Sequence, residues 1–123
     1  DYMGLIFEKM CRDYLLYYAE DLPVELNQLG QWWGTDSRQK KQIQIDIVGT
    51  PVEGREYIIG SCKYRNEKIG ADELELIRSY ASVFGKGDRY HYYIFSKGGF
   101  TDALISAQER GEVTLVTLDD MYK

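Results

Sequence analysis

Cysteine and histidine are scarce in this chain of 123 residues. It has two cysteines, Cys11 and Cys62, and a single histidine, His91. The cysteines form no C-x-x-C pair, and no second histidine completes a set of four ligands, which argues against a disulfide framework and a zinc site. We therefore expect reduced thiols and a cytoplasmic location. His91 lies in an aromatic segment, so we expect it to be packed and not catalytic.

Long apolar runs are also missing. No stretch approaches the roughly 20 apolar residues that a membrane-spanning helix needs, and no charged-then-apolar leader opens the sequence. We therefore expect no membrane partner. The first residue is Asp1 and not methionine, which suggests a piece of a longer protein, although processing would leave the same start.

A surplus of positive charge is absent as well. The formal net charge is -5, whereas proteins that neutralise phosphates normally carry excess Lys and Arg. Two local clusters weaken this objection, since they can form a basic patch or simply be the solvated ends of strands. They are Arg38, Lys40 and Lys41, and Lys63, Arg65 and Lys68.

The chain does contain enough apolar residues for a core. Hydrophobic residues make up 44% of it, and this length suits one compact domain over residues 1–123 but not two. Periodicity predicts the order α-β-β-β-α-β-α-β. The predicted helices cover 3–20, 71–84 and a segment from a cap at Thr101 to about 110, and the predicted strands cover 30–35, 42–49, 56–63, 90–96 and 112–117.

The connections between these elements predict an α/β fold. Strands 42–49 and 56–63 are joined by a turn, so we expect an antiparallel hairpin. The later strands are connected through helices and should be parallel. The result is a mixed sheet with helices on both faces. In the first helix, Leu5, Cys11, Leu15 and Tyr18 lie at helical spacings and should face the sheet.

The strand over 42–49 has a strictly alternating pattern. Ile43, Ile45 and Ile47 should occupy one face, and the polar residues the other. Asp46 is on the polar face, and Lys63 ends the next strand. If the polar faces coincide, Asp46 and Lys63 lie side by side near one end of the sheet. An exposed salt bridge worth about 0–1 kcal/mol would have the same pattern.

Glu8 adds a second acid to this region. It follows Phe7 on a helix that must pack on the sheet, so its carboxylate can reach Asp46 and Lys63. Carboxylates held together repel one another, and the usual remedy is a hard divalent ion such as Mg²⁺ or Mn²⁺. A nearby lysine can orient or deprotonate water while the metal stabilises charge on a phosphate. The pattern therefore indicates phosphodiester hydrolysis.

These residues resemble the PD-(D/E)xK nuclease superfamily, whose restriction-endonuclease-like, three-layer αβα core has the same element order. A closer resemblance rests on five segments in order, which are FEKMCRDYL (7–15), GQWWGTD (30–36), IDIV (45–48), GSCKY (60–64) and IFSKGGFTDAL (94–104). Through these segments the chain resembles an uncharacterised C-terminal domain of archaeal-type AAA/STAND ATPases. The resemblance implies a nucleic-acid substrate, and an upstream domain as a partner that binds ATP.

Ser61 departs from the family pattern, which usually has glutamate two residues before the lysine. A neutral hydroxyl is a poor ligand for Mg²⁺, so a site of Glu8, Asp46 and Lys63 alone should bind metal weakly. Some restriction endonucleases resemble this pattern with the missing acid on the next helix, where this chain has Glu73 and Glu75. Glu73 shares a helix face with Ile77, whereas Glu75 points nearly opposite. An acid in the first turn is also favoured by the helix dipole alone, and the sequence favours that explanation.

Three interpretations stay open at this stage. The favoured one is a degenerate nuclease-fold domain that serves its ATPase as a nucleic-acid-binding, docking or regulatory module without a metal. The alternative is an active nuclease, in which Glu8, Asp46 and Glu73 bind Mg²⁺ or Mn²⁺ and act with Lys63 as the catalytic residues. The third is an unrelated α/β interaction domain in which Asp46 and Lys63 only pair. Pairing of two copies is open in each case.

Overall fold

The order of elements agrees with the predicted α-β-β-β-α-β-α-β order. The structure is a computed structural model that describes residues 2–122. The helices are α1 (Tyr2–Asp13), α2 (Ala71–Phe84) and α3 (Asp102–Glu109), and the strands are β1 (Leu26–Asp36), β2 (Lys41–Pro51), β3 (Glu56–Lys63), β4 (Arg89–Ser96) and β5 (Thr114–Thr117). A π-helical turn, Tyr14–Tyr18, extends α1, and a 3-10 turn, Asp119–Tyr122, follows β5. Within residues 2–122, no helix has the length and apolar character needed to cross a bilayer.

The strands form one mixed sheet in the order β1-β2-β3-β4-β5. β2 pairs antiparallel with both β1 and β3, as expected for strands joined by short turns. β4 pairs parallel with both β3 and β5, because the intervening helices carry the chain back to the starting edge. The predicted α/β fold with a mixed sheet is therefore confirmed.

Helix α1 covers one face of the sheet. Its buried residues Phe7, Cys11 and Leu15 are spaced by four, so they lie on one side of the helix. They pack with Ile47, Ile58, Tyr93, Phe95 and Val116 of the sheet. Leu5 and Tyr18, which were also expected to face the sheet, are exposed, so the predicted stripe is wrong at both ends.

Helices α2 and α3 cover the opposite face. Their buried apolar residues meet Ile45, Ile59 and Ile94 of the sheet in a second hydrophobic cluster. Thr101 caps α3, since its side chain accepts a hydrogen bond from the backbone N–H of Leu104. The sheet therefore lies between two helical layers.

A bulge interrupts β2 at the point where the candidate site begins. Gly30 pairs with Val48 and Trp32 pairs with Ile45, so two residues of β2 lie opposite one residue of β1. An extra residue of this kind reverses the alternation of the faces beyond it.

Because of the bulge, the isoleucines of β2 do not alternate as the sequence predicted. Ile45 packs in the cluster under α2 and α3, whereas Ile47 packs in the cluster under α1. The expectation that Ile47 shares a face with Ile43 and Ile45 is therefore wrong. Asp46 lies between Ile45 and Ile47 in sequence, at the point where β2 changes the face on which its isoleucines pack.

Beyond the bulge, β2 separates from β3. The ladder between these strands ends at the pair Ile47 and Gly60. β1 and β2 remain paired as far as Asp36 and Lys41. Residues 32–45 thus form a two-stranded projection, here called the hairpin arm, and a gap opens between this arm and the end of β3.

Candidate active site

The gap between the hairpin arm and β3 forms a cleft of about 200 Å³, and the first turns of α2 close one side of it. Ile43, Ile45, Leu76 and Ile77 supply apolar wall. The polar residues that line the cleft are Gln42, Gln44, Asp46, Ser61, Lys63, Glu73 and Tyr80. Three of the four predicted site residues, Asp46, Lys63 and Glu73, are therefore in one cleft.

Asp46 links the two strands where they part. The backbone N–H of Cys62 donates a hydrogen bond of 2.9 Å to Asp46 Oδ2. This bond lies just beyond the last ladder pair of β2 and β3, so a carboxylate oxygen takes the place of a strand carbonyl. The bond fixes the Asp46 side chain at the rim of the cleft.

Burial raises the pKa of Asp46 above its usual value. The N–H of Cys62 and the charge of Lys63 oppose this shift, while the negative charges of Glu8 and Glu73 add to it. The contacts with Cys62 and Lys63 therefore do not fully offset the cost of burying the ionised Asp46 carboxylate. An additional cation would favour its charged form.

Glu73 points from the first turn of α2 towards β3. Ser61 Oγ donates a hydrogen bond of 2.7 Å to Glu73 Oε2. Lys63 Nζ lies 3.6 Å from the same oxygen. Glu73 is only 8% exposed, so its position is set by these contacts and not by solvent at the helix end.

Glu75, the other acid considered on α2, lies on the outer side of the helix. Its carboxylate accepts a hydrogen bond of 2.9 Å from Arg78, and Glu75 is exposed. Glu73 and Glu75 therefore lie on opposite sides of α2, as their spacing of two residues predicts for a helix.

Glu8 does not line the cleft. Gln31 Nε2 donates a hydrogen bond of 3.2 Å to Glu8 Oε1, and both residues border a separate depression beside α1. The charge of Glu8 still reaches Asp46, because it contributes to the raised pKa of that residue. α1 thus brings an acid near Asp46, but beside the helix and outside the cleft.

The pair Asp46 and Glu73 fits a magnesium-type ion in number and kind of donors. Within residues 2–122, no three His, Cys, Asp or Glu side chains come together as a metal-binding group. Mg²⁺ is commonly held by one or two carboxylates together with waters and substrate phosphates, so a full set of protein ligands is not required. These two carboxylates share a cleft that also contains a lysine.

Behind Asp46, two thiols join α1 to β3, a contact that sequence reasoning did not predict. Cys11 and Cys62 are free cysteines that pack in the same hydrophobic cluster. The neighbouring Cys11 thiol, together with burial and the negative charges of Asp46 and Glu8, raises the pKa of Cys62 well above its usual value. The Cys62 thiol therefore stays protonated. No sequence spacing would have revealed the pair, since it depends on where α1 crosses the sheet.

Two further lining residues, Gln42 and Gln44, had a visible signal in the sequence. They alternate with Ile43 and Ile45 on β2 and are exposed on the polar side of that strand. His91 lies elsewhere, where its Nε2 is 2.8 Å from Glu56 Oε1. It has no contact with the cleft.

Several solved structures have a similar fold. Protein VC1899 from Vibrio cholerae matches with a TM-score of 0.66 and 15% identity over 93% of this chain, which spans 30% of that protein. The DNA modification-dependent restriction endonuclease AspBHI matches with a TM-score of 0.50 and 14% identity, over 98% of this chain and 30% of that one. The protein of unknown function AF1548 matches with a TM-score of 0.50 and 17% identity, over 94% of this chain and 56% of that one.

The fold and its neighbours define a restriction-endonuclease-like domain with a mixed five-stranded sheet. Residues 1–75 match the family DUF234, described as "Archaea bacterial proteins of unknown function", and the chain belongs to that family. The matched segment includes Glu8, Asp46, Lys63 and Glu73. No protein with a curated description matches the sequence.

Proposed function

We propose that this chain is a metal-dependent phosphodiesterase domain that cleaves DNA or RNA, with Glu73 supplying the acid that Ser61 lacks. The observation that carries the proposal is the position of the Glu73 carboxylate, 2.7 Å from Ser61 Oγ and 3.6 Å from Lys63 Nζ. A glutamate at position 61 would direct its carboxylate into the same cleft. The sequence alone favoured a degenerate domain, and this contact supports the active alternative.

Asp46 and Glu73 are the residues that would hold Mg²⁺ or Mn²⁺. When bound, such an ion would stabilise the charge that develops on a phosphate during hydrolysis. Lys63 is only partly buried, with 27% of its side chain exposed, so its ammonium is open to a phosphate oxygen or an attacking water. Lys63 would orient that water and balance charge in the cleft. Glu8 would act at a distance, through its charge on Asp46.

Two neighbouring groups keep the carboxylates in position. The N–H of Cys62 holds Asp46, and the hydroxyl of Ser61 holds Glu73. Fixed carboxylates need less reorganisation when a cation arrives, which favours binding and catalysis. Ser61 is therefore a positioning residue in this proposal.

A second candidate function is a nuclease-fold module without chemistry. One observation favours it: Glu73 Oε2 already has two partners, Ser61 and Lys63, which compete with a metal ion. Such a module would bind nucleic acid or dock and regulate the ATPase implied by the sequence resemblance. For either function, we propose a cytoplasmic location and an upstream ATPase domain in the same protein, with association of two copies open.

A cleavage assay distinguishes the two functions. The native chain is incubated with single-stranded DNA, duplex DNA and RNA in Mg²⁺, Mn²⁺ or EDTA. We expect metal-dependent cleavage that Asp46→Asn and Glu73→Gln each lower by about 100-fold or more, as for loss of other charge-stabilising groups. Glu75→Gln is the matched control, because Glu75 is exposed on the same helix.

Two results would reject the active domain. One is the absence of cleavage of every substrate in both metals, which would favour the module without chemistry. The other is cleavage by Glu73→Gln at the rate of Glu75→Gln. Circular dichroism of each variant checks that the fold is retained.

A further inference from the structure

The hairpin arm presents an exposed tryptophan beside the candidate active site. Trp33 is 63% exposed. Its neighbour Trp32 turns inwards and packs edge-on against Phe84, with ring centroids 5.3 Å apart. Adjacent strand residues face opposite ways, so the core accounts for Trp32 but leaves Trp33 without a packing role.

Polar side chains that can hydrogen-bond surround Trp33. Gln44 is its direct partner across the two strands, and Thr35 pairs with Gln42 in the same way. Directly opposed residues share a face of an antiparallel pair. The outer face of the arm, defined as Trp33, Thr35, Gln42 and Gln44, is therefore a flat aromatic and amide surface, and all four residues are exposed.

The outer face meets the cleft at the edge of β2. Gln42 and Gln44 belong to the outer face and are also among the residues that line the cleft, whose apolar wall includes Ile43 and Ile45 from the opposite side of the strand. Gln44 and Asp46 are two residues apart on β2, a distance of about 7 Å along a strand. At the 3.4 Å rise of a strand in duplex DNA, this distance corresponds to about two nucleotides. A strand lying over Trp33 would thus reach the cleft within a few nucleotides.

The tip of the arm is positively charged in an otherwise acidic chain. Arg38, Lys40 and Lys41 are all exposed, and they form no ion pair with any residue that the structure describes. The nearby acid, Asp36, accepts hydrogen bonds from the backbone N–H groups of Arg38 and Gln39 and so orders the turn. Three cations are therefore free to contact phosphates.

We propose that the hairpin arm binds single-stranded nucleic acid, with an unpaired base stacked on Trp33 and backbone phosphates at the cations of the tip. An indole stacks on a base only when the face of that base is uncovered, which favours single strands over duplex. The amides of Gln42 and Gln44 can pair with base edges. The role of the arm in leading a strand to the cleft rests on the proposed function, but binding itself requires no metal.

A protein partner fits this surface less well. The apolar part of the outer face is one indole among amides and a hydroxyl. Stable protein interfaces have a larger apolar core, and lysine is depleted in them. Phosphates, by contrast, match the three cations directly.

The test measures oligonucleotide binding in EDTA, so that no cleavage occurs. The probes are a fluorescent single-stranded DNA of about 16 nucleotides, a length at the upper end of single-strand site sizes, the same sequence as RNA, and the DNA as a duplex. We expect a single strand to bind more tightly than the duplex. Trp33→Ala should weaken this binding by about 5- to 100-fold, the loss expected for one stacked base, and Trp33→Phe should largely retain it. Tyr17→Ala is the control, since Tyr17 is an exposed aromatic on the turn after α1.

The cations are tested by salt dependence. A plot of log K against log salt has a negative slope, to which each single-strand phosphate contact contributes about −0.7. Replacing Arg38, Lys40 and Lys41 together by glutamine should therefore make the slope less negative by about 2. Equal binding of duplex and single strand, or unchanged binding by Trp33→Ala, would overturn the proposal. So would loss of self-association in Trp33→Ala without loss of oligonucleotide binding, which would assign the face to a second copy.

This experiment separates the two proposals. Trp33-dependent binding in EDTA without cleavage in metal supports the arm and rejects the active nuclease. Glu73-dependent cleavage without any effect of Trp33→Ala on binding supports the active nuclease and rejects the role of the arm.

Discussion

Ser61 on β3 and Glu73 on α2 meet inside the cleft, where the serine hydroxyl donates a 2.7 Å hydrogen bond to the carboxylate. The strand thus carries a neutral group, and the acid arrives from the following helix. Both residues are buried, and Lys63 lies within 3.6 Å of the shared carboxylate oxygen. The predictions that follow concern this contact and its surroundings.

Removing the hydroxyl should destabilise the protein. Ser61→Ala leaves the buried Glu73 carboxylate without one donor, and we expect a loss of about 1–2 kcal/mol in the free energy of unfolding. Urea denaturation measures this loss. Ser79→Ala is the control, because Ser79 donates only to a carbonyl of its own helix at an exposed site and should change stability by less than about 0.5 kcal/mol. Equal stabilities of the two variants would contradict the prediction.

Asp46→Asn should stabilise the protein at neutral pH. Because the pKa of Asp46 is raised in the folded state, the native chain binds this proton more readily than the unfolded chain, and the ionised side chain lowers stability at neutral pH. This penalty disappears as the pH falls through the folded pKa towards the ordinary value of 3.8. Asparagine stays neutral and can still accept the N–H of Cys62.

Denaturation curves of the native chain and Asp46→Asn at neutral pH and near 3.8 check the sign. The variant should be the more stable at neutral pH, and the difference should shrink in acid. A less stable variant at neutral pH would show that the ionised carboxylate is well compensated.

The thiols should be unreactive in the folded protein. The raised pKa of Cys62 keeps it protonated in mildly alkaline solution, and Cys11 is buried. A thiolate is the reactive species, so a colorimetric disulfide reagent should label neither thiol in the native chain and both in denaturant. Rapid labelling of the native chain would contradict the described contact between the two cysteines.

Gly98→Ala should destabilise the turn between β4 and α3. An added Cβ would collide with the backbone carbonyl of Asn66, which cannot move as a side-chain tip can, so we expect a loss of about 2 kcal/mol or more. Gly30→Ala is the control, because no atom lies within 4 Å of its added Cβ. Thermal or urea unfolding distinguishes the two. Similar losses would mean that the turn tolerates the extra methyl group.

Local signals predicted much of the fold. The bounds of β3 and α2 agree with the sequence prediction. For α2 the signal is the pair of flanking glycines, Gly70 and Gly85, of which Gly85 adopts the left-handed conformation that ends a helix. The parallel arrangement of the later strands followed from their helical connections. The bulge in β2 was not predictable, because it arises from pairing with β1 and leaves the pattern of isoleucines unchanged.

The site was predictable only as far as the sheet defines it. Asp46 and Lys63 lie in one cleft at the end of the β2–β3 hairpin, as the sequence predicted, although the bulge in β2 breaks the alternation on which that prediction was based. The direction of Glu73 was not predictable, because an acid in a first helical turn is favoured whether or not it reaches a site. The position of Glu8 likewise depends on how α1 lies on the sheet, which the spacing of its apolar residues does not fix.

Calorimetric titration with Mn²⁺ tests the central claim most directly. It compares the native chain, Glu73→Gln, and an exchange variant, Ser61→Glu with Glu73→Ser, that moves the acid to the strand while keeping one carboxylate and one hydroxyl at these two positions. The account predicts that the native chain binds Mn²⁺, that Glu73→Gln binds at least about 10-fold more weakly, and that the exchange variant recovers binding. Binding by Glu73→Gln equal to that of the native chain, or no binding by the native chain, would contradict it.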